Sequence, residues 1–343
     1  MSFQSVFLYC TILICISCQG QEQQSSQKKI NGLSFVASNR KIAKKDTKSV
    51  INTYANWVAL MPFGYMPSST DPGLSFDTKW QWWGETTEGL KTTSSIFQKQ
   101  NIKRMLKPQL WIKGGVFTGF MAMTNEKDWI QFEKNYEEFI LHYAQLAQNE
   151  HIELFCIGTE LNLFVQNRSK YWQSLILKIK AIYSGKLTYA SNWDSYTVPL
   201  FWKDLDYIGI DAYFPLAHAQ TPTIERLNQA WLPTKLALEK YSKKTQKSII
   251  FTEYGYRSID YSTKEPWDSD IKGAYNDLAQ QNALRSLFIT FWTEPWFAGG
   301  FLWKWFDNHA VAGGNKHTGF TVQNKSTEKT VKEFYKNQTL INE

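Results

Sequence analysis

Two glutamates stand where their chemistry could be used. Glu160 lies in the stretch IGTELN and Glu253 in FTEYGYR, each directly after a short apolar run with strand character. Two carboxyl groups brought together from separate strand ends can divide the cleavage of a glycosidic bond between them. One protonates the leaving oxygen, and the other attacks the anomeric carbon or activates a water. A single Glu at a strand end is ordinarily a solvated loop residue or an ion-pair partner. Two of them, each with aromatic residues beside it, point instead to a shared cleft.

Something must hold the pair in place, and the hydrophobic pattern says what. Apolar runs at 30–37, 57–63, 104–112, 152–157, 187–191, 207–212, 248–252 and 300–305 read as eight strands. Amphipathic helices alternate with them, at 129–148, 171–183, 225–240, 277–291 and 327–336. In the first of these Trp129, Phe132, Tyr136, Phe139, Ile140, Tyr143 and Ala147 recur at three- and four-residue steps, one face of a helix. Strands alternating with helices imply a parallel sheet with crossover connections, and eight such units close most naturally into a (β/α)8 barrel. That fold needs roughly 250 residues, more with insertions, and the chain has 343. The expectation is therefore an α/β protein with one TIM-barrel catalytic domain over 30–343. In such barrels the active site gathers at the C-terminal ends of the strands, where Glu160 and Glu253 fall at the fourth and seventh.

Composition agrees with a sugar cleft and argues against other classes. Aromatic residues make up 16% of the chain, including 15 Trp, and several (Trp80, Trp82, Trp83) sit in a polar loop unsuited to core packing. Flat rings stack on the C–H faces of pyranoses. The net charge of +7 is spread over scattered Lys and Arg rather than the basic face that nucleic-acid binding requires, so no nucleic-acid partner is expected. No Gly-rich nucleotide loop follows the first strand. The five His (142, 151, 218, 309, 317) have neither HxH nor HExxH spacing, so neither a metal nor a cofactor is expected.

Cysteine placement is informative. Cys10, Cys15 and Cys18 fall in the first 18 residues, and Cys156 alone lies in the body, within an apolar run where it reads as a small buried hydrophobe. Residues 3–17 form an uncharged apolar segment too short for a confident membrane span. It ends at Ser17-Cys18 and turns abruptly polar. This is the pattern of a bacterial lipoprotein signal: 1–18 as the signal, Cys18 as the lipidated residue, 19–29 as a flexible tether. Two features depart from that pattern. No Lys or Arg precedes the apolar run, and Cys15 stands where Leu is usual; the alternatives are an ordinary cleaved signal or a retained anchor. The expected location is the bacterial cell envelope, with a lipid anchor as the membrane contact.

The ordered set INGLSF, WVALMPFGYM, RMLKPQLWI, IGTELN, DYIGIDAYFPL, FTEYGYRS and FLWKWF resembles glycoside hydrolase family 113, the β-mannanases of clan A, over nearly the whole body. The resemblance implies a retaining endo-β-1,4-mannanase, acting as a monomer on β-mannan or glucomannan, with Glu160 as acid/base and Glu253 as nucleophile. It further implies that Tyr213 hydrogen-bonds Glu253 and that Trp303 forms a platform under the sugar being cleaved. Lys107, Gln109, Trp111, Asn162, Asn192 and Trp193 are candidate sugar contacts, and Asp211 is either a further contact or, the better reading, a barrel-interior hydrogen-bonder. One residue departs from the clan: Thr159 stands before the acid/base where Asn is usual, and Asn162 or Asn192 would have to take over its contact. The competing readings are another clan A activity, such as a β-glucanase, and a carbohydrate-binding lipoprotein without catalysis. The latter should have lost one of the two carboxylates.

Overall fold

A computed structural model describes residues 28–340. Ten strands run in chain order: β1 (Ile30–Phe35), β2 (Trp57–Leu60), β3 (Phe63–Met66), β4 (Lys103–Leu106), β5 (Gln109–Ile112), β6 (Leu154–Thr159), β7 (Lys186–Asn192), β8 (Ile208–Asp211), β9 (Ile249–Tyr254) and β10 (Phe297–Trp305). Eight of them, β1-β2-β4-β6-β7-β8-β9-β10, close into a barrel in which every neighbouring pair is parallel. The helices are α1 (Lys48–Asn52), α2 (Thr87–Gln98), α3 (Glu126–Asn149), α4 (Asn162–Asn167), α5 (Ser169–Ile182), α6 (Ile224–Thr245), α7 (Asp277–Phe291) and α8 (Ser326–Leu340). None is long and apolar enough to cross a membrane. The expected signal segment, Cys18 and most of the expected tether lie outside the described residues. Lys29, at the end of that tether, is already tied to the body, its ammonium donating to the backbone carbonyls of Glu294 and Phe297.

The seven residues expected on one helix face are all buried in α3. Asn125 caps that helix by accepting from the Asp128 amide at 3.0 Å, which satisfies one of the donors a helix start leaves free. Inside the barrel a small second core gathers Ile30, Ala59, Met105, Leu154, Cys156, Ala190, Ile250 and Phe301. Gly32 is required there, because a Cβ would come within 2.4 Å of the Phe301 ring.

Two expected strands are each broken in two. The run 57–63 and its continuation divide at Pro62, and the run 104–112 divides at Pro108. Proline has no N–H for the ladder, yet the flanking bonds carry the pairing across the gap. Lys107 N–H donates to Leu60 O at 2.8 Å and Gln109 N–H to Pro62 O at 2.9 Å. Beyond the break, β3 and β5 pair with each other and leave the barrel. They stand as a wall on its C-terminal rim.

Candidate active site

Local backbone features aim both glutamates. Along β9, Ile250 packs in the barrel interior and Phe251 in the outer core, so regular alternation would turn residue 253 outward. The register with β8 slips between Ile210↔Phe251 and Asp211↔Glu253, and the register with β10 slips beside it. Such a bulge re-aims the side chain that follows, and Glu253 turns into the barrel mouth. A second slip lies in β6, between Cys156 and Thr159. Glu160 then adopts a left-handed φ of 53°, uncommon for a residue with a side chain. Its N–H still bonds Ala190 O at 2.8 Å. The chain turns there from strand to α4, and Glu160 is left at the head of the strand.

Both carboxyl groups line one cleft of about 640 Å³, within the usual range for ligand sites. Its walls come from the ends of the first, second, third, fourth, seventh and eighth barrel strands. Phe63, Tyr65, Gln109 and Trp111 face it from the β3–β5 wall, and Trp82, Phe117, Trp303, Lys304 and Phe306 complete its aromatic and basic lining.

Glu253 is gripped from three directions. Its Oε1 accepts from Lys107 Nζ at 2.5 Å and from Gln109 Nε2 at 3.0 Å; its Oε2 accepts from the Tyr213 hydroxyl at 2.8 Å. With both oxygens engaged as acceptors, the group is held in one orientation. Lys107 is fully buried and also reaches Asp211 Oδ2 at 3.2 Å. Burial alone would lower the Lys107 ammonium, but the charges of Asp211 and Glu253 outweigh it and raise the group. Asp211 Oδ1 accepts from the Thr252 hydroxyl at 2.7 Å. Burial and the Glu253 charge push its carboxyl up, against Lys107 and Thr252. Asp211 is thus a barrel-interior hydrogen-bonder.

Glu160 is treated differently. Among the described residues no donor or cation reaches its carboxyl group. Burial first, then the charges of Asp211 and Glu253, hold that carboxyl well above the usual carboxylate range. This is the environment of a carboxyl group that keeps its proton to donate.

The structure brings Lys107, Gln109, Trp111, Tyr213 and Trp303 to this cleft or to Glu253 itself. It does not bring Asn162, Asn192 or Trp193. Asn162 Oδ1 accepts from Ser195 at 3.1 Å, and Asn192 donates to Asp194 at 2.9 Å. Trp193 stacks on Trp267, with centroids 4.9 Å apart and planes 25° off parallel. All three lie outside the cleft lining, and Asn162 and Asn192 are engaged by these bonds to Ser195 and Asp194. Thr159 itself lines the cleft, its hydroxyl 3.5 Å from Pro108 O. Sequence reading passed over Lys304 and Glu85. Lys304 is a half-buried ammonium 5.3 Å from the Trp303 ring centroid, lowered by burial against the pull of Glu253. Glu85 is a buried carboxyl on the cleft wall. Lys304 is concealed between two tryptophans, and Glu85 in a polar loop carries no periodic signal.

Comparison with known proteins agrees with this geometry. Residues 37–325 match the family model described as Glycoside Hydrolase Family 113. A family 113 β-mannanase from Alicyclobacillus acidocaldarius, solved in complex with ManMIm, superposes with a TM-score of 0.79 at 22% identity, covering 90% of this chain and 98% of that one. A family 113 β-1,4-mannanase gives 0.78 at 20% identity, covering 90% and 99%. The β-glucuronidase of Faecalibacterium prausnitzii gives 0.60 at 14%, covering 90% of this chain and 49% of that one. No curated protein matches the sequence. These likenesses are distant enough to speak for the fold alone, whereas the family match spans most of the chain. With a closed (β/α)8 barrel and two carboxyl groups at one cleft, the chain belongs to glycoside hydrolase family 113 and is a glycoside hydrolase.

Proposed function

We propose that this glycoside hydrolase is a retaining endo-β-1,4-mannanase that cleaves β-mannan or glucomannan by double displacement. One observation carries the mechanism: of two carboxyl groups in the same cleft, Glu253 is gripped through both oxygens while Glu160 is unpaired and raised. In the first step the Glu160 proton goes to the glycosidic oxygen as a Glu253 oxygen bonds the anomeric carbon. The C–O bond breaks and its electron pair leaves with the departing sugar. Forming the ester removes the Glu253 charge, one of the causes raising Glu160, so Glu160 becomes a better base. It then takes a proton from water, whose oxygen attacks the anomeric carbon and releases Glu253. Tyr213 and Gln109 hold the nucleophile's orientation, and Trp303 offers its face to the sugar.

Mannan as substrate is supported by the family and by the β-mannanases that share the fold. The test is reducing-sugar release from mannan, glucomannan, xylan and barley glucan, with viscosity followed in parallel. Mannan should be preferred, and its viscosity should fall ahead of reducing-end release. A preference for glucan or xylan would overturn the mannan assignment and leave the glycosidase standing. The enzyme is exported and held on the envelope through a lipid on Cys18, a reading supported by the apolar run ending at Ser17-Cys18. Cys18→Ala should move it out of the detergent phase, and unchanged partitioning would remove the anchor.

A further inference from the structure

The β3–β5 wall is built in layers. Phe63 pairs with Gln109, and two residues farther out Tyr65 pairs with Trp111. All four face the cleft. At about 3.3 Å per residue the second layer stands roughly 7 Å beyond the first, comparable to the length of one pyranose unit. The inner layer contains Gln109, which donates to Glu253. The outer layer holds a third carboxyl group. Tyr65 donates its hydroxyl to Glu85 Oε2 at 2.9 Å, and Gln81 Nε2 reaches the same oxygen at 3.1 Å. Glu85 is only 6% exposed, yet its Oε1 has no hydrogen-bond partner among the described residues, and the residue lines the cleft. That oxygen is an acceptor left open on the wall of a binding cleft, where a ligand's donor can reach it.

We propose that Glu85 is a substrate-binding, specificity-determining residue: its Oε1 accepts a hydroxyl of the glycone one unit removed from the sugar that bonds Glu253. This rests on the reading of Glu253 as nucleophile. The sugar esterified to Glu253 is the glycone, and Gln109 and Trp303 place it against the inner layer. The next unit along that wall meets Glu85, with the exposed rings of Trp82 and Trp111 available to its C–H faces. A carboxylate with one oxygen fixed by two donors is pre-oriented and loses little freedom when the sugar docks. The wall therefore reads chain length and hydroxyl orientation beyond the point of cleavage.

Aryl β-glycosides carrying one, two or three sugars test this, because the aryl group fills the leaving-group side and every sugar lies on the glycone side. The series should be made in whichever sugar the wild-type enzyme cleaves. For Glu85→Ala, kcat/KM should fall about ten- to a hundredfold further on the two- and three-sugar substrates than on the one-sugar substrate, the worth of a hydrogen bond to a charged group. Glu85→Gln keeps an acceptor oxygen and the shape that Tyr65 and Gln81 pack against, and should recover part of the loss. It also serves if the alanine variant fails to fold. A loss equal at all lengths, or absent at all lengths, in whichever variant folds, would overturn the proposal and leave Glu85 as a prop for the wall. A wild-type enzyme inactive on every aryl glycoside would remove the mechanism on which it rests, a failure of a different kind.

Discussion

The ends of the fourth and seventh barrel strands present the same residue type and treat it in opposite ways. At the seventh, a bulge turns Glu253 into a ready set of donors: an ammonium and an amide from the end of the third barrel strand and a phenol from the end of the sixth. At the fourth, a left-handed residue ends the strand and leaves Glu160 with its backbone tied and its carboxyl group unpaired. Chemistry follows from the surroundings rather than from the residue. The gripped carboxylate is oriented to attack, and the desolvated one keeps a proton to give away. A (β/α)8 rim makes such contrast easy, because each strand end brings its own loop and its own neighbours.

Removing each glutamate breaks the contrast most directly. Glu253→Ala should show no turnover on any substrate, measured by chromogenic release. Glu160→Ala should lose about 10²–10⁴-fold on substrates with poor leaving groups, the contribution of general acid catalysis. It should still be glycosylated by aryl glycosides with good leaving groups, and added azide should then give a β-glycosyl azide. An α-azide, or rescue confined to the Glu253 variant, would mean the two roles are reversed.

Loss of the grip on Glu253 ranks next. Lys107→Met leaves Asp211 and Glu253 in one buried site without their cation. Breaking a buried pair by removing one partner costs about 3–5 kcal/mol, so thermal unfolding should come well below that of the wild type. An unchanged melting temperature would mean that the ammonium holds nothing in place. Tyr213→Phe is milder, deleting one donor and keeping the ring. A drop of about ten- to a hundredfold in kcat/KM is expected, with melting little changed.

Much of this was legible beforehand, and the exceptions have physical causes. Apolar runs ending in polar residues mark the strand ends of a barrel wherever the strand is regular, which placed Glu160 and Glu253 at the fourth and seventh. The seven-residue stripe of α3 was readable because a helix face repeats. Apolarity alone does not reveal where a ladder loses a donor, so the breaks at Pro62 and Pro108 went unseen, and with them the wall formed by β3 and β5. Nor does it reveal side-chain direction at a rim. Asn192 and Trp193 follow the fifth strand as Gln109 and Trp111 follow the third. Asn192 bonds Asp194 and Trp193 stacks on Trp267 of the segment after the seventh strand, whereas the second pair faces the cleft. Sequence left Asp211 between a sugar contact and an interior hydrogen-bonder, and Thr252 and Lys107 are the partners it found.

The smallest expected effect is a shift rather than a loss, and it probes the contrast from the Glu160 side. A general acid works while it carries its proton, so the alkaline limb of kcat/KM falls as pH rises through the acid's titration in the free enzyme. Burial raises Glu160 first, and the Asp211 charge raises it next, ahead of Glu253. Asp211→Asn keeps the size of the side chain and an oxygen for Lys107 but removes the charge. With one raising cause gone, Glu160 gives up its proton at lower pH, so the alkaline limb should move toward acid while the remaining activity stays measurable. The matching change at the rim outside the cleft, Asn192→Ala, removes no charge near Glu160 and should leave the limb where it was. An Asp211→Asn limb that stays put, or moves toward alkali, would mean that the titrating acid is a group other than Glu160, and the contrast between the two strand ends would need another explanation.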